Sequence, residues 1–303
     1  MIQYLQHQEI DKQRWDLCIS QSLNSMLYGY SWYLDIVCPG WSALVVGDYE
    51  AVFPLPVKKK IYQYVFQPFF TQQLGLFYKH LPLAEQLDEV LSAIPHKYRY
   101  IDVQLNEALV QQNISKGKII KRKNYVLPLN KPYEKLVKKY SEHTRRNLKK
   151  ATRHPQQVVA CDTSVIIDQY RTHKGAETKG LDSSHYVVLQ QLFDTLFANH
   201  LVKPLAVSDD KGDILSSAAF AICNTRIYYL MGSSSKQGKE ERSIYLLFDH
   251  MIRHYSGHPF ELDFEGSEIP GVARLFKGFG AEKRNYVHLR INRLPWLIRW
   301  MKG

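Results

Sequence analysis

Three stretches hold side chains that could do chemistry. Asp263-Phe264-Glu265-Gly266-Ser267 ends an apolar run. Alternation along a strand puts Asp263 and Glu265 on one side and Phe264 on the other. If Phe264 faces a helix layer, both carboxylates face a groove, where one can act as a general base. Glu265, nearer the strand end, is the preferred base; Asp263 is the second catalytic candidate, with pairing to a cation as its alternative role. The second stretch is Gly232 to Ser243. Gly232, Ser233, Ser234 and Ser243 are small enough for an anion to approach free amides at a helix start, and Lys236 and Arg242 add positive charge. Glu240 and Glu241, in the same stretch, oppose a tight anion cradle. The third is Ser141 to Arg153, where Arg145, Lys149 and Arg153 recur every four residues on one helix face, flanked by Arg146 and Lys150. Like charges at that spacing cost some tenths of a kcal/mol each. An anion bridging them would offset that cost; a solvated basic face is the competing reading. Tyr228 and Tyr229, just before the second stretch, could donate a proton to a leaving group or simply pack in the core.

Other chemistry finds little support. Cys18, Cys38, Cys161 and Cys223 are scattered, with no CxxC and no zinc-ligand spacing, so they read as buried apolar residues. The twelve histidines form neither HxH nor HExxH, and neither a G-x-S-x-G nor a Walker loop occurs. No metal is expected. Trp32, Tyr33 and Gln67 belong to an aromatic and amide-rich set that could line an acceptor cleft or fill a core.

These groups need a scaffold, and 303 residues with 45% hydrophobic content can bury one large domain or two ordinary ones. No apolar stretch approaches the ~20 residues that span a bilayer, and the first residues do not read as a signal peptide. A cytoplasmic or membrane-peripheral protein is expected. The net charge of +11 is uneven: residues 1–130 hold 13 Lys/Arg against 11 Asp/Glu, residues 131–303 hold 27 against 18. The excess in the second half, dense from Lys131 to Arg153, favours an anionic partner such as nucleic acid, a phosphate-bearing ligand or lipid headgroups.

The pattern is mixed α/β. In the first half it predicts a helix over 9–20, a hairpin of 41–46 and 51–55, strands near 61–69 and 72–78, a helix over 83–94, and strands over 98–105 and 119–129. Asn130-Lys131-Pro132 marks a boundary. Beyond it come helices over 133–140, 141–153, 165–173 and 184–198, then strands 203–207, 214–223 and 226–231, a loop over 232–242, a helix from Ser243, strand 260–264, helix 272–278 and strand 286–291. Residues 294–302 form an aromatic tail that packs on the body or rests on a membrane.

This order resembles the GNAT acyltransferase fold, and the local wording resembles its branch of Fem peptidyltransferases and BioF2/CelD-like acyltransferases. Ser141-Glu142-His143-Thr144-Arg145-Arg146-Asn147-Leu148-Lys149-Lys150-Ala151 is similar to that branch's Ser-x-x-x-Arg helix. Tyr228 to Ser234 with a following polar loop is the second likeness. Asp263-Phe264-Glu265-Gly266 with Phe276-Lys277-Gly278-Phe279-Gly280 is the third, and the matches cover about residues 141–291. The resemblance implies tandem GNAT-like domains with mixed, mostly antiparallel sheets, a degenerate copy over 1–129 and a motif-bearing copy over 130–303. It also implies transfer of an acyl or aminoacyl group from an activated donor (acyl-CoA, acyl-carrier protein or aminoacyl-tRNA) to an amine, as of a cell-envelope precursor. Strands that part to hold the donor are part of the same expectation. Two departures bear on the donor: 232–242 does not spell the phosphate loop of acetyl-CoA enzymes, and no long helical hairpin is inserted. The competing reading is a catalytically degenerate protein binding an anionic polymer or lipid through residues 116–153.

Overall fold

The computed structural model describes residues 1–80, 86–111, 114–175, 178, 180–266 and 268–299. The expected helix start at 83 and the ends of two expected features, Ser267 and residues 300–302, lie outside the described residues. The chain forms two compact units: Met1–Arg122 with Asn285–Gly303, and Lys123–Arg284. The segment from Asn285, expected with the second domain, therefore folds with the first.

Unit 1 runs β1 (Ile2–Leu5), α1 (Lys12–Gln21), α2 (Ser31–Val37), β2 (Ser42–Val46), β3 (Ala51–Leu55), β4 (Val57–Lys59), β5 (Gln63–Val65), β6 (Phe77–Tyr78), α3 (Gln86–Ala93), β7 (Tyr98–Leu105) and the start of β8 (Lys118–Pro128). β1, β2, β3 and β6 pair antiparallel in that order. β4 pairs antiparallel with β5, and β5 pairs parallel with β7. β2 and β3, joined through the left-handed Gly47, are buried at every residue and apolar except for Ser42, the continuous run of a strand buried on both faces. Their inward residues Leu44, Phe53 and Leu55 meet Leu87, Val90 and Leu91 of α3 and Ile101 and Val103 of β7 in one largely aliphatic core.

Unit 2 takes up the rest of β8, then α4 (Tyr133–Val137), α5 (Glu142–Ala151), β9 (Gln157–Ala160), α6 (Thr163–His173), α7 (Ser183–Ala198), β10 (Val202–Ser208), β11 (Ile214–Cys223), β12 (Arg226–Ser234), α8 (Lys236–Glu241), α9 (Ile244–Tyr255), β13 (Glu261–Asp263), α10 (Pro270–Gly278) and the first residues of β14 (Glu282–Asn292). A short helix α11 (Trp296–Arg299) ends the described chain, with Trp296 80% exposed. The unit 2 sheet runs β8-β13-β12-β11-β10-β9. Every pair in it is antiparallel except β12 with β13, so the mixed, mostly antiparallel sheet expected of the fold is present. Its core is aromatic where unit 1's is aliphatic: Phe220, Phe248, Phe264, Phe276 and Phe279 pack with ring centroids 4.7 to 6.4 Å apart.

Two expectations fail in this unit. β9 has no counterpart in the expected pattern, because only two adjacent valines mark it. The loop over 232–242 is instead the end of β12 followed by α8. Ser233 and Ser234 pair with Ser217 and Ser216 of β11, and the Ser216 and Ser234 hydroxyls bond at 2.7 Å.

Candidate active site

The parallel ladder between β12 and β13 has three rungs: Arg226 with Glu261, Ile227 with Leu262 and Tyr228 with Asp263. There it ends, because β13 turns away. The Phe264 amide donates to the Tyr125 carbonyl at 3.0 Å, and Glu265 and Gly266 both take left-handed backbone angles. β12 continues to Ser234, still paired on its other side with β11 as far as Ser216. A register shift opposite Ala219 and Phe220 leaves Leu230 as the extra residue of a β-bulge, which bends the strand where it loses its neighbour. From Tyr229 to Ser234, no strand among the described residues pairs with the β13 side of β12.

Tyr229 lines the start of this free edge. Its ring sits 4.9 Å from Phe248 and 6.2 Å from Phe276, and burial pushes its phenol up. Its hydroxyl occupies the space a side chain at Gly232 would need, and the Ser217 carbonyl closes in from the other side at 2.9 Å. Gly232 is therefore a packing requirement of the bent strand. Phe264 does face the helix layer, as its place in the aromatic cluster shows.

Strand alternation does not reach both carboxylates, because β13 ends at Asp263. Asp263 is 0% exposed and accepts from Arg226 Nε at 2.8 Å and from the Glu265 amide at 2.9 Å, with Arg226 Nη2 at 2.6 Å. It is committed to a buried ion pair and is unavailable as a base. Glu265 lies beyond the strand end, half-buried, at a φ of 61°.

The basic helix is also redirected. Arg145 Nη2 donates to the Lys138 carbonyl at 2.8 Å and so caps α4, which takes it out of any anion-bridging row. Arg146 stands 3.7 Å from Glu142, both well exposed, a pair worth little in water. Lys149 is exposed. The expected cradle at the start of α9 is closed as well. Ser243 and Tyr245 amides already donate to Gly238 and Arg242 carbonyls, Ser243 is fully buried, Lys236 points to solvent, and Arg242 closes α8 by donating to Lys239 O at 3.0 Å. Ser235 caps α8 through the Gly238 amide.

The structure instead joins the first and third motif stretches. Ser141 caps α5 by accepting from the Thr144 amide at 3.1 Å, while its own amide donates to the Gly278 carbonyl at 2.8 Å. Thr144 Oγ1 lies where a side chain on Gly278 would be, so only glycine lets the end of α10 meet the start of α5. Beside this junction is a cavity of about 550 Å³. Lys123, Arg274, Lys277, Lys283 and His143 line it with Tyr125 and a single carboxylate, Glu268. Glu268 is bound to Lys123, and Lys277 Nζ stands 5.6 Å above the Tyr125 ring. The remaining positive charge suits a phosphate or a developing oxyanion. Read from sequence alone, Lys277 could reach the donor but is by default a solvated lysine, and nothing singles out Arg274, Lys283 or His143. The available signal is the spacing within α10: Phe276 turns into the aromatic core while Arg274 and Lys277 turn the other way.

Trp32, Tyr33 and Gln67 all lie in unit 1. Tyr33 is buried, its hydroxyl donating to the Phe70 carbonyl, and Trp32 stacks edge-on against it at 5.6 Å. Gln67 braces a loop, donating to Thr71 O at 2.8 Å and accepting from the Gln104 amide at 2.9 Å. Among the described residues, no cluster of three or more His, Cys, Asp or Glu could hold a metal, and no helix is long and apolar enough to cross a membrane.

No family model matches the sequence, and no curated protein matches it. Solved structures do resemble it. FemX superposes with a TM-score of 0.71 at 14% identity, over 99% of this chain and 100% of FemX. L-PGS from Bacillus licheniformis gives 0.57 at 10% identity over 96% and 95% of the two chains. A tandem GNAT protein from the clavulanic acid biosynthesis pathway gives 0.53 at 10% over 97% and 99%. With its parted parallel strands, its bulged β12 and a match running the whole length of FemX, this chain has the tandem GNAT fold of FemX.

Proposed function

We propose that the protein transfers an acyl or aminoacyl group from an activated donor to an amine, with unit 2 as the donor site. The observation that carries this reading is the three-rung β12–β13 ladder beside a β12 that runs on to Ser234. Main-chain amides on the free edge supply preorganised donors for the carbonyl oxygen as it becomes an oxyanion. The amine nitrogen attacks the carbonyl carbon, and Glu265 takes the proton released as the new C–N bond forms. The C–O or C–S bond to the carrier then breaks, and the departing negative charge is met by the cavity's cations, Lys277 foremost. Asp263 and Arg226 hold the end of β13 in place rather than joining the chemistry.

The closed start of α9 favours one donor class over another. A coenzyme held by its pyrophosphate needs open amides at such a helix start, and here those of Ser243, Tyr245 and Leu246 already donate to main-chain carbonyls. The cationic cavity beside α5 and α10 offers phosphates a different seat, which favours a large carrier such as aminoacyl-tRNA over free acyl-CoA. The acceptor in this reading is the amine of a cell-envelope precursor, reached in the cytoplasm. The test is amide formation with a panel of acyl-CoA, acyl-carrier-protein and aminoacyl-tRNA donors. Turnover with a carrier-bound donor, falling about 100-fold or more in Glu265→Gln, is expected; wild-type turnover in that variant removes Glu265 from the mechanism.

The same cations favour a second reading, a degenerate protein that binds an anionic polymer without turnover. It predicts a salt-dependent gel shift with RNA, abolished by Lys277→Ala with Arg274→Ala, and no product from any donor.

A further inference from the structure

β4 and β5 form a hairpin at the edge of the unit 1 sheet, registered Val57 to Val65, Lys58 to Tyr64 and Lys59 to Gln63. Its tip is tight, the Lys60 amide donating to the Tyr62 carbonyl at 3.1 Å. The tip sequence is Lys58-Lys59-Lys60-Ile61-Tyr62. All three lysines are exposed, and Ile61, at 96%, is more exposed than any other large hydrophobic residue described. Tyr62, Tyr64 and Phe66 stand half-buried along the same hairpin, and Lys58 Nζ lies 4.6 Å above the Phe66 ring. No acidic residue occurs anywhere between Glu50 and Glu85.

The fold gives this tip no reason to be apolar. A tight reversal in water is ordinarily built with Asn, Asp or Gly, and the isoleucine there stays 96% exposed although it borders a small hollow lined by Tyr62, Tyr64 and Tyr100. Three ammonium groups around one aliphatic side chain, backed by tyrosines and a phenylalanine, match the composition of a surface that rests at a bilayer interface. There the aliphatic tip enters the acyl boundary, the aromatic rings lie at headgroup level, and the lysines meet lipid phosphates. Nucleic acid would also attract the lysines, but it offers an isoleucine no apolar depth to enter, and the stacking rings that single-strand binding uses are here half-buried.

We propose that the β4–β5 hairpin docks the protein on an anionic membrane surface by inserting Ile61 between lipid headgroups. The contact is reversible by construction. Each lysine contributes about fivefold to partition onto an anionic surface, so the three together contribute roughly a hundredfold, and one side chain adds a shallow anchor. This inference stands on unit 1 alone and does not depend on the transfer reaction.

The test is co-sedimentation of the full chain with vesicles of phosphatidylcholine alone, or with roughly one-third phosphatidylglycerol. Binding to the anionic vesicles only, weakened by salt, is expected. Lys58→Gln with Lys59→Gln and Lys60→Gln should lower it roughly a hundredfold, and Ile61→Ser should lower it several-fold at unchanged melting temperature. No binding to anionic vesicles overturns the proposal. So does an Ile61→Ser variant that binds as well as wild type, since that describes adsorption by charge without insertion. A gel shift with RNA that the lysine variants abolish, in a protein that ignores vesicles, assigns the hairpin to nucleic acid and equally overturns it.

Discussion

Each unit contains a three-rung parallel strand pair, and the strand edge beyond the last rung has opposite fates in the two. In unit 1 the pair is β5 with β7, ending at Val65 and Ile101. β7 runs on, but its next groups are taken by the unit's own chain. The Gln104 amide donates to Gln67 Oε1 at 2.9 Å, its carbonyl accepts from the Leu74 amide at 2.7 Å, and Asn106 and Glu107 amides donate to Leu74 O and Gln73 Oε1. In unit 2 the pair is β12 with β13, and among the described residues the edge beyond it has no strand laid against it. The same local geometry is bonded by the unit's own chain in one copy and left without a partner strand in the other. In the reading proposed above, the unit 2 edge that has no partner strand is the donor seat, and the filled edge in unit 1 is scaffold.

Perturbations of decreasing size challenge this contrast. Asp263→Ala removes the buried carboxylate to which Arg226 Nε and Nη2 are bonded, so unit 2 should lose about 3–5 kcal/mol in denaturant melts. A loss near zero would mean that the end of β13 is not held as described. Gly278→Ala forces a methyl against Thr144 Oγ1 where α10 meets α5. Overpacking of about 1–3 kcal/mol is expected, with a raised KM for the donor, since the cavity walls shift; an unchanged KM would dissociate that cavity from the substrate. Gln67→Ala, the plug in unit 1, leaves the Gln104 amide short of its acceptor. It should cost about 1 kcal/mol and leave kcat unchanged, so a large drop in kcat would show unit 1 to be part of the catalyst. The smallest effect is electrostatic. Burial, followed by the charges of His254 and Lys203, holds His250 below its ordinary value, and burial and Lys203 do the same to His254. The unfolded chain then binds more protons near and below pH 6.5, so stability falls as the solution is acidified through that range. Thermal melts between pH 8 and pH 5 should show it as a few degrees, flattened in His250→Gln with His254→Gln.

Local pattern carries much of the fold. β7 and β11 occupy the spans that their apolar runs predict, the β2–β3 hairpin turns at Gly47, and Ser141 caps the helix it precedes. Where the pattern fails, tertiary pairing overrides propensity. Gly232-Ser233-Ser234 looks like a loop but is held as a strand by the serines opposite. Gln72 to Tyr78 looks like a strand but pairs only at Leu74 and over Phe77–Tyr78. The site is half legible. The motif stretches are visible in the sequence, and parted strands are what their resemblance implies. That Asp263 is consumed by Arg226, Arg145 by the end of α4, and Gln67 by Gln104 could not be read, because each bond depends on which residues the sheet and helices bring side by side. The cavity at Gly278 is hidden for the same reason, lined by residues more than a hundred positions apart along the chain.

The connectivity of the chain matters as early as the ribosome. Unit 1 keeps its β7 edge paired through Val287 to Asn292, residues made after all of unit 2. The nascent first unit therefore emerges with a hydrophobic strand still missing, and must wait, guarded or half-formed, until the whole of unit 2 has been synthesised. Synthesis order and folding order cannot coincide in this molecule. A chain released early, just before Asn285, would leave Ile101 and Val103 without the strand that covers them and would be a substrate for chaperones and proteases rather than a smaller folded protein.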